Sequence, residues 1–319
     1  MGTNPIQGIV STAGFKTETV PGTKIALTGS EFLDLMSEES SYEPVHYRGE
    51  SIIGNRQEQG DLEVVSHNDG RTTLKCRPRG LYMEELLALI FGVDTVGVHT
   101  PILGNDTDLA TFTCEVDKAG LNNLRLIGCK VGKATFESQA NQPLMLTLEA
   151  IAMSGERDVG DLATPTYTWL TDGMFMHGDM TMDATGHAFL GGATGLPVRS
   201  IQFECDNDLD DSEAGFTNST DRKIIPVGMF NLTGNIVVPY NSTTKDLIAS
   251  LVAAEKVGWG IVYTTGTPGH SLLLDFVTKF EGDMPDITDN SNQWITMNFH
   301  GVVDAASTNS ISAELITLS

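Results

Sequence analysis

Short stretches in which apolar and polar residues alternate recur along the whole chain, the mark of strands with one buried face. They predict strands at Leu62–Val65, Thr72–Cys76, Thr111–Val116, Leu124–Lys130, Ala134–Glu137 and Leu144–Met153, and again at Val198–Cys205, Met229–Thr233, Leu272–Phe280, Trp294–Val303 and Ser310–Leu318. Asn68-Asp69-Gly70 lies between the first two and has the residues of a tight hairpin turn, because Asp-Gly tolerates positive φ. Helical spacing is confined to Ser30–Met36, with Ser30 as cap, to 81–91, closed by Gly92, and to 243–254. In the second of these Leu81, Leu86, Leu89 and Ile90 lie about one turn apart, which predicts one face buried on a sheet. Ser37–Glu43, Asn55–Gly60, Gly191-Gly192 and Asp206–Lys223 read as loops, and Leu170–Asp183 is rich in Met and Gly. The plan is a β-rich α+β fold with short antiparallel connections.

One strand, turn and helix is written twice. Leu74–Pro78 with the helix around Leu86, Leu87 and Ile90 matches Asn235–Pro239 with the helix around Leu247, Ile248 and Leu251 at a single offset of 161, which also carries Phe112–Val116 onto Leu273–Val277. Asn141–Leu148 matches Asn292–Phe299 at an offset of 151. A period of half the chain is too long for a solenoid, whose repeats run about 20–50 residues. The expected organisation is an N-terminal arm over 1–30 and two copies of one domain over 31–160 and 161–319, with the boundary in Gly155–Thr166.

At 319 residues there is length for two domains, each with its own core. No apolar run approaches the roughly 20 residues that a helix needs to cross a bilayer. Met1-Gly2-Thr3-Asn4-Pro5 has neither a basic nor an apolar leader pattern, so the chain is expected to stay where it is made. Four cysteines without CxxC spacing read as reduced core thiols. The formal charge is −23, from 13 basic and 22 acidic residues in 1–160 and 6 and 20 in 161–319. That surplus excludes a protein that grips nucleic acid through Lys and Arg, but suits one past which nucleic acid slides.

Candidate chemistry is sparse. Asp206, Asp208, Asp210, Asp211 and Glu213 crowd the longest polar loop, yet it lacks a calcium loop's sixth-position Gly (Asp211 is there) and twelfth-position Glu (Thr217 is there). Seven histidines show no HExxH or similar spacing. The Gly-rich pieces do not continue into a phosphate-binding motif, no GxSxG elbow is present, and the Met residues at 174–182 fit core filling better than a binding surface. No catalytic, cofactor-binding or metal-ligating residue is expected.

Val198–Leu209, Lys223–Gly234 and, in the first half, Leu126–Phe136 with its Gly-Cys-Lys-Val strand resemble the tail tube proteins of long-tailed, non-contractile phages, over most of 45–155 and 198–305. The resemblance implies two tandem copies of a β-sandwich or barrel domain, each flanked by one short α-helix. It implies a structural virion protein without enzymatic activity, whose trimeric, pseudo-sixfold rings stack into the hollow tail through which DNA passes. The implied partners are other copies of itself, the terminator, tape measure and distal tail proteins, and DNA in non-specific passage, with no membrane. Assembly is expected in the host cytoplasm. The long Asp206–Lys223 loop departs from the single-domain pattern and is expected at a ring-to-ring or outer surface as the candidate ring-to-ring loop, the two helices are expected outside the inner barrel, and a substantial share of the carboxylates is expected in the bore. The alternative readings are a capsid decoration or head-to-tail adaptor protein, and a carbohydrate-binding or hydrolytic tail fibre. The fibre would need an aromatic groove, and Trp169, Trp259 and Trp294 are scattered.

Overall fold

The computed structural model describes residues 11–48, 63–92, 98–101, 109–118, 123–183, 198–210, 220–240, 256–265, 269–281, 294–303 and 309–318. Among them β1 (Ser11–Thr17), β2 (Leu35–Arg48) and β3 (Glu63–Cys76) precede helix α1 (Gly80–Phe91). β4 (Val98–His99), β5 (Phe112–Lys118), β6 (Leu124–Gln139), β7 (Met145–Ala152) and β8 (Ser154–Arg157) follow, then a 3-10 turn at Thr168–Thr171. β9 (Met176–Asp183), β10 (Ser200–Asp206), β11 (Asn231–Pro239), β12 (Lys256–Thr264), β13 (Gly269–Glu281), β14 (Trp294–Gly301) and β15 (Ile311–Leu318) complete the described chain. The fold is β-rich, as the alternation predicts.

The strands form one wide antiparallel layer in the order β2-β3-β7-β6-β10-β11-β14-β13-β12-β9. The first half of β6 leaves this layer and pairs with β5 and β8, while β1 joins β5, making a second, smaller sheet. The departure is at a bulge where Ile127 and Gly128 together oppose Thr113. Gly128 has φ 67°. A Cβ there would lie 2.8 Å from the Met153 side chain, so glycine alone fits the bend. The pairings β1·β5, β2·β3, β3·β7, β6·β7, β5·β6 and β6·β8 recur in the same order as β9·β12, β10·β11, β11·β14, β13·β14, β12·β13 and β13·β15. The two sets join where β10 pairs with β6 from Ser200↔Gln139 to Asp206↔Lys133.

Alternation along each strand becomes rows across the layer. Cys76, Leu146, Phe136, Phe203, Gly234, Phe299 and Phe280 are successive cross-strand partners on the core face. Phe136 stacks on Phe203 at 4.6 Å across the β6·β10 junction, and Phe203 meets Phe276 edge to face, which in turn stacks on the buried Trp259 at 4.1 Å. The core is therefore continuous through the junction. Gly234 is the small member of its row because Phe299 lies over it, with a would-be Cβ 2.5 Å from the ring.

Several expectations need correction. Residues 11–17, assigned to a terminal arm, are β1, with Ala13 and Phe15 buried. Ser30–Met36 is not helical: Leu33 donates its amide to Ala13 O, Phe15 donates to Glu31 O, and the chain runs on into β2. One isolated turn of helix is marginal in water, whereas the extended chain gains these partners. Ser37–Glu43 is strand, not loop, and Asn68-Asp69-Gly70 is no turn, since β3 runs through it paired with β2 and is joined by β7 from Gly70 onward. Gly70 serves close packing there, with a would-be Cβ 2.9 Å from Ala152 Cβ. Leu124–Lys130 and Ala134–Glu137 are one strand, β6.

The helix is where the spacing puts it, and Gly92 at its end has φ 106° and donates its amide to Ala88 O. Its burial is not one-sided. Tyr82, Met83, Leu87 and Phe91 are buried together with Leu86, Leu89 and Ile90, because α1 lies between β6 and the strands β4, β13 and β15, while Leu81 is 55% exposed. The ladders also revise the offset. Leu146 and Met297, 151 apart, pair with Cys76 and Ile236, 160 apart, whereas at 161 Cys76 would fall on Val237, which faces away from the core. Phe112–Val116 is in β5, whose place in the recurring scheme is held by β12 and not by Leu273–Val277 of β13. The helix expected at 243–254, with Leu247, Ile248 and Leu251, and the loops Asn55–Gly60 and Gly191-Gly192 lie outside the described residues.

Leu86 is fully buried, so Leu86→Asp should cost about 4 kcal/mol, the scale of an unpaired charge forced into a core, and lower the melting temperature in thermal unfolding. Leu81→Asp should leave it nearly unchanged; equal losses for both would mean that α1 is not packed as described.

Candidate assembly surface

The face of the wide layer turned away from the core is largely polar from β3 to β13. One row runs Lys75, Thr147, Thr135, Glu204, Thr233, His300, Lys279, and the parallel row runs Met145, Glu137, Gln202, Asn235, Asn298, Glu281. Hydroxyl and amide groups are spread through both. Lys75 is held by Glu137 at 2.9 Å, and Lys133 by Glu204 and Asp206, each at 3.2 Å. Hydrogen bonds from Lys133 to both carboxylates raise its pKa above the ordinary value, so its charge is kept and internally satisfied. A surface built this way offers a phosphate few loose cations.

The layer's first edge is β2. Arg77 donates its amide to Asp34 O, so the odd positions of β3 face β2 and the even ones face β7. Thr72 and Gly70 thus turn away from β2, and their partners Ser40 and Tyr42 turn their own amides and carbonyls outward. Ser40 Oγ lies 2.8 Å from Thr72 Oγ1. Such an approach is expected of a close, non-hydrogen-bonded pair. Beyond Pro44 the β2–β3 ribbon carries Val45, Tyr47, Val64 and Val65, all well exposed. A two-stranded ribbon with exposed apolar groups is marginal on its own and calls for cover.

The candidate loop Asp206–Lys223 is described at its two ends. Asp206 ends β10 and pairs with Lys133, Asp208 and Asp210 are exposed, and Asp211 and Glu213 lie outside the described residues. Both ends are tied to the first set of strands. Asn207, 3% exposed, donates its side-chain amide to Ile90 O and Val131 O; Lys130 Nζ donates to Ile225 O; Asn68 donates its amide to Thr220 O; and the buried Arg222 reaches Asp69 at 2.8 Å. These anchors were invisible in the sequence, where Asn207, Arg222 and Lys130 read as ordinary polar residues. Of the helix residues, Leu86, Leu87 and Ile90 come together in one buried cluster.

Nothing among the described residues is arranged for catalysis. No cluster of His, Cys, Asp or Glu there could hold a metal ion. All four cysteines are free and buried, and burial pushes the thiols up, to about 12 for Cys76 and Cys114. None is therefore a nucleophile at neutral pH. The densest charge cluster, Arg125 with Glu115 at 2.8 Å, Glu156 at 2.9 Å and Asp161 at 3.1 Å, fastens β5, β6 and β8 to the segment after them, with Glu115 also accepting from the Ala163 amide. The family model for phage tail tube proteins matches residues 8–307.

The chain belongs to the phage tail tube protein family. No curated protein matches the sequence. As a tail tube protein it has a structural role in the virion tail and assembles with itself and with other tail proteins.

The anchoring of the Thr220–Arg222 segment can be probed by acid. Burial works against the Asp69 carboxylate, but hydrogen bonds from Arg71 and Arg222 outweigh it and hold the carboxyl below its usual range. A lowered folded-state pKa contributes stability above the unfolded value of about 4 and loses it as pH falls through the folded value. Asp69→Asn should therefore lower the melting temperature at neutral pH, with the difference from wild type closing as the pH falls below the ordinary carboxylate range and Asp69 takes up its proton. A difference that persists unchanged in acid would mean that the ion pairs of Asp69 do not carry the effect.

Proposed function

We propose that three copies of this chain close into a ring with pseudo-sixfold symmetry, and that rings stack into the hollow tail tube of a long-tailed, non-contractile phage. Each chain would contribute two copies of one tube domain, 31–160 and 161–319, with residues 1–30 continuing into the first. The observation that carries this reading is the recurrence of six strand pairings in order, together with the β6·β10 junction that runs one set into the next. The runs β2-β3-β7-β6 and β10-β11-β14-β13 join at the β6·β10 pairing and leave β2 at the first edge of the chain. What β10 does to β6 inside the chain, β2 of one chain would do to the second strand set of its neighbour, and three repetitions would close the layer.

On this reading the polar face is the wall of the bore. DNA passing through it meets hydroxyls, amides and cations mostly held by carboxylates, so it is neither gripped nor strongly repelled. Carboxylates would line the bore, as expected of a substantial share of them, but Glu137, Glu149, Glu204 and Asp206 are opposed there by Lys75 and Lys133. α1 packs on the core face and so would stand outside the wall, where a second helix at 243–254 would take the corresponding place. The Asp206–Lys223 loop, carrying Asp208, Asp210, Asp211 and Glu213, and the apolar end of the β2–β3 ribbon would meet the next ring. The remaining partners would be the terminator, tape measure and distal tail proteins, with assembly in the host cytoplasm before DNA passes.

Isolated rings weighed by native mass spectrometry should contain three chains, and six would overturn the pseudo-sixfold reading. Removing Ser212–Ser219 should leave the melting temperature unchanged and shorten tubes in negative-stain images. Tubes of wild-type length would take the loop out of ring stacking. Closed single rings that never stack would favour an adaptor in place of a tube.

A further inference from the structure

The outward edge of β2 is not left bare in the single chain. Ser40 and Tyr42 turn their carbonyls outward, as the parity of the β2–β3 ladder requires, and both are occupied by cations from the smaller sheet. Lys118 Nζ donates to Ser40 O at 3.1 Å and also lies 3.4 Å from Glu38. Arg157 donates to Tyr42 O through both Nε and Nη2 and lies 3.8 Å from Glu43. The two cations come from the same end of that sheet, since Val116, two residues before Lys118, and Arg157 are both partners of Leu124 at the start of β6. The next outward position is Pro44, which has no amide to offer a partner.

In the second strand set the corresponding edge is filled. β10 pairs with β11 as β2 pairs with β3, and its other side carries β6 along Ser200–Asp206. An incoming strand must lie about 4.8 Å from β2 and supply amides to the outward carbonyls, which is the space that the Lys118 and Arg157 side chains now occupy. We infer that Lys118 and Arg157 guard the β2 edge of the free chain and must swing off it before a second copy can add its strand there. The inference rests on the ring-closure reading of the β2 edge. It adds that pairing competes with an intramolecular contact, so the free chain resists association until its local concentration is high or an existing ring end favours the exchange. Cations at an edge are a common means of keeping strands apart, and here they hold the very carbonyls a partner would use.

The test uses the purified full-length chain. Lys118→Met with Arg157→Met removes both donors while keeping side-chain bulk, and both residues are partly exposed, so the fold should survive. The threshold concentration for self-association, followed by light scattering and sedimentation, should fall by about tenfold, as loss of charge-assisted contacts from the free chain alone implies. Lys118→Arg and Arg157→Lys, which keep a donor, should stay near wild type. If the double variant melts below wild type, each single variant is compared instead, with about a threefold fall expected. An unchanged or higher threshold overturns the guard, whatever shape the assemblies have. A lower threshold with assemblies that are not rings or tubes keeps the guard and removes the tube reading.

Discussion

A strand at the edge of a sheet has half of its backbone groups without a partner, and the plan of this protein answers that constraint both inside the chain and at β2. Inside the chain the answer is pairing: β10 fills the side of β6, so two strand sets become one layer with a core that runs through the join. At β2 the answer is occupation of outward carbonyls by Lys118 and Arg157, followed by a proline. A backbone amide that must be satisfied is also the natural means of polymerisation, since a neighbour's strand satisfies it without any new side-chain recognition.

The two-residue period of a strand serves two purposes at once. One face of the layer gives the row from Cys76 to Phe280 with its stacked rings, and the next residue along each strand gives a row of Thr, Asn, Gln, Lys and Glu. Moving any strand by one residue would exchange the rows, placing Glu204 or Gln202 in the core and Phe203 outside. The register that stabilises the fold is therefore the same register that presents the polar face. The bulge at Gly128 lies where β6 leaves the layer, and the β10·β11 and β11·β14 ladders run without a register shift.

Much of this was legible from the sequence. The strands β10, β11, β13, β14 and β15, the helix at 81–91 with its Gly92 stop, and the β-rich class follow from alternation and spacing alone, whereas β9, in the Met-rich stretch, and β12, with its glycines, were missed. The failures share a cause, which is that local signals describe what a segment could do when unpartnered. Asp69-Gly70 would turn if β2 and β7 were not on either side of it, and Ser30–Met36 would be helical if Ala13 did not accept the Leu33 amide. The polar Ser37–Glu43 looked like a loop because edge strands are polar for the reason that makes them edges. The buried anchors Asn207, Lys130 and Arg222 were not legible at all, because a polar residue's burial depends on which carbonyls the fold brings to it.

The acidic surplus takes a different meaning once the layer is in view. A chain of charge −23 could carry that charge on any surface, yet the polar face mixes its carboxylates with Lys75 and Lys133 and fills much of the rest with neutral groups. Unbalanced charge must then lie mainly elsewhere, on loops, on rims and on the side behind the helix. Charge there keeps separate chains and finished tubes from adhering, because like surfaces repel over about a Debye length, roughly 8–10 Å at ordinary salt. A bore with strong net charge would impose its own barrier on a polyanion, whereas one with paired charges leaves passage to be governed by width and by the drive from the packed genome. In the proposed tube, solubility and passage would be assigned to different surfaces of one sheet, and the ion pairs of Lys133 with Glu204 and Asp206 would belong to the second.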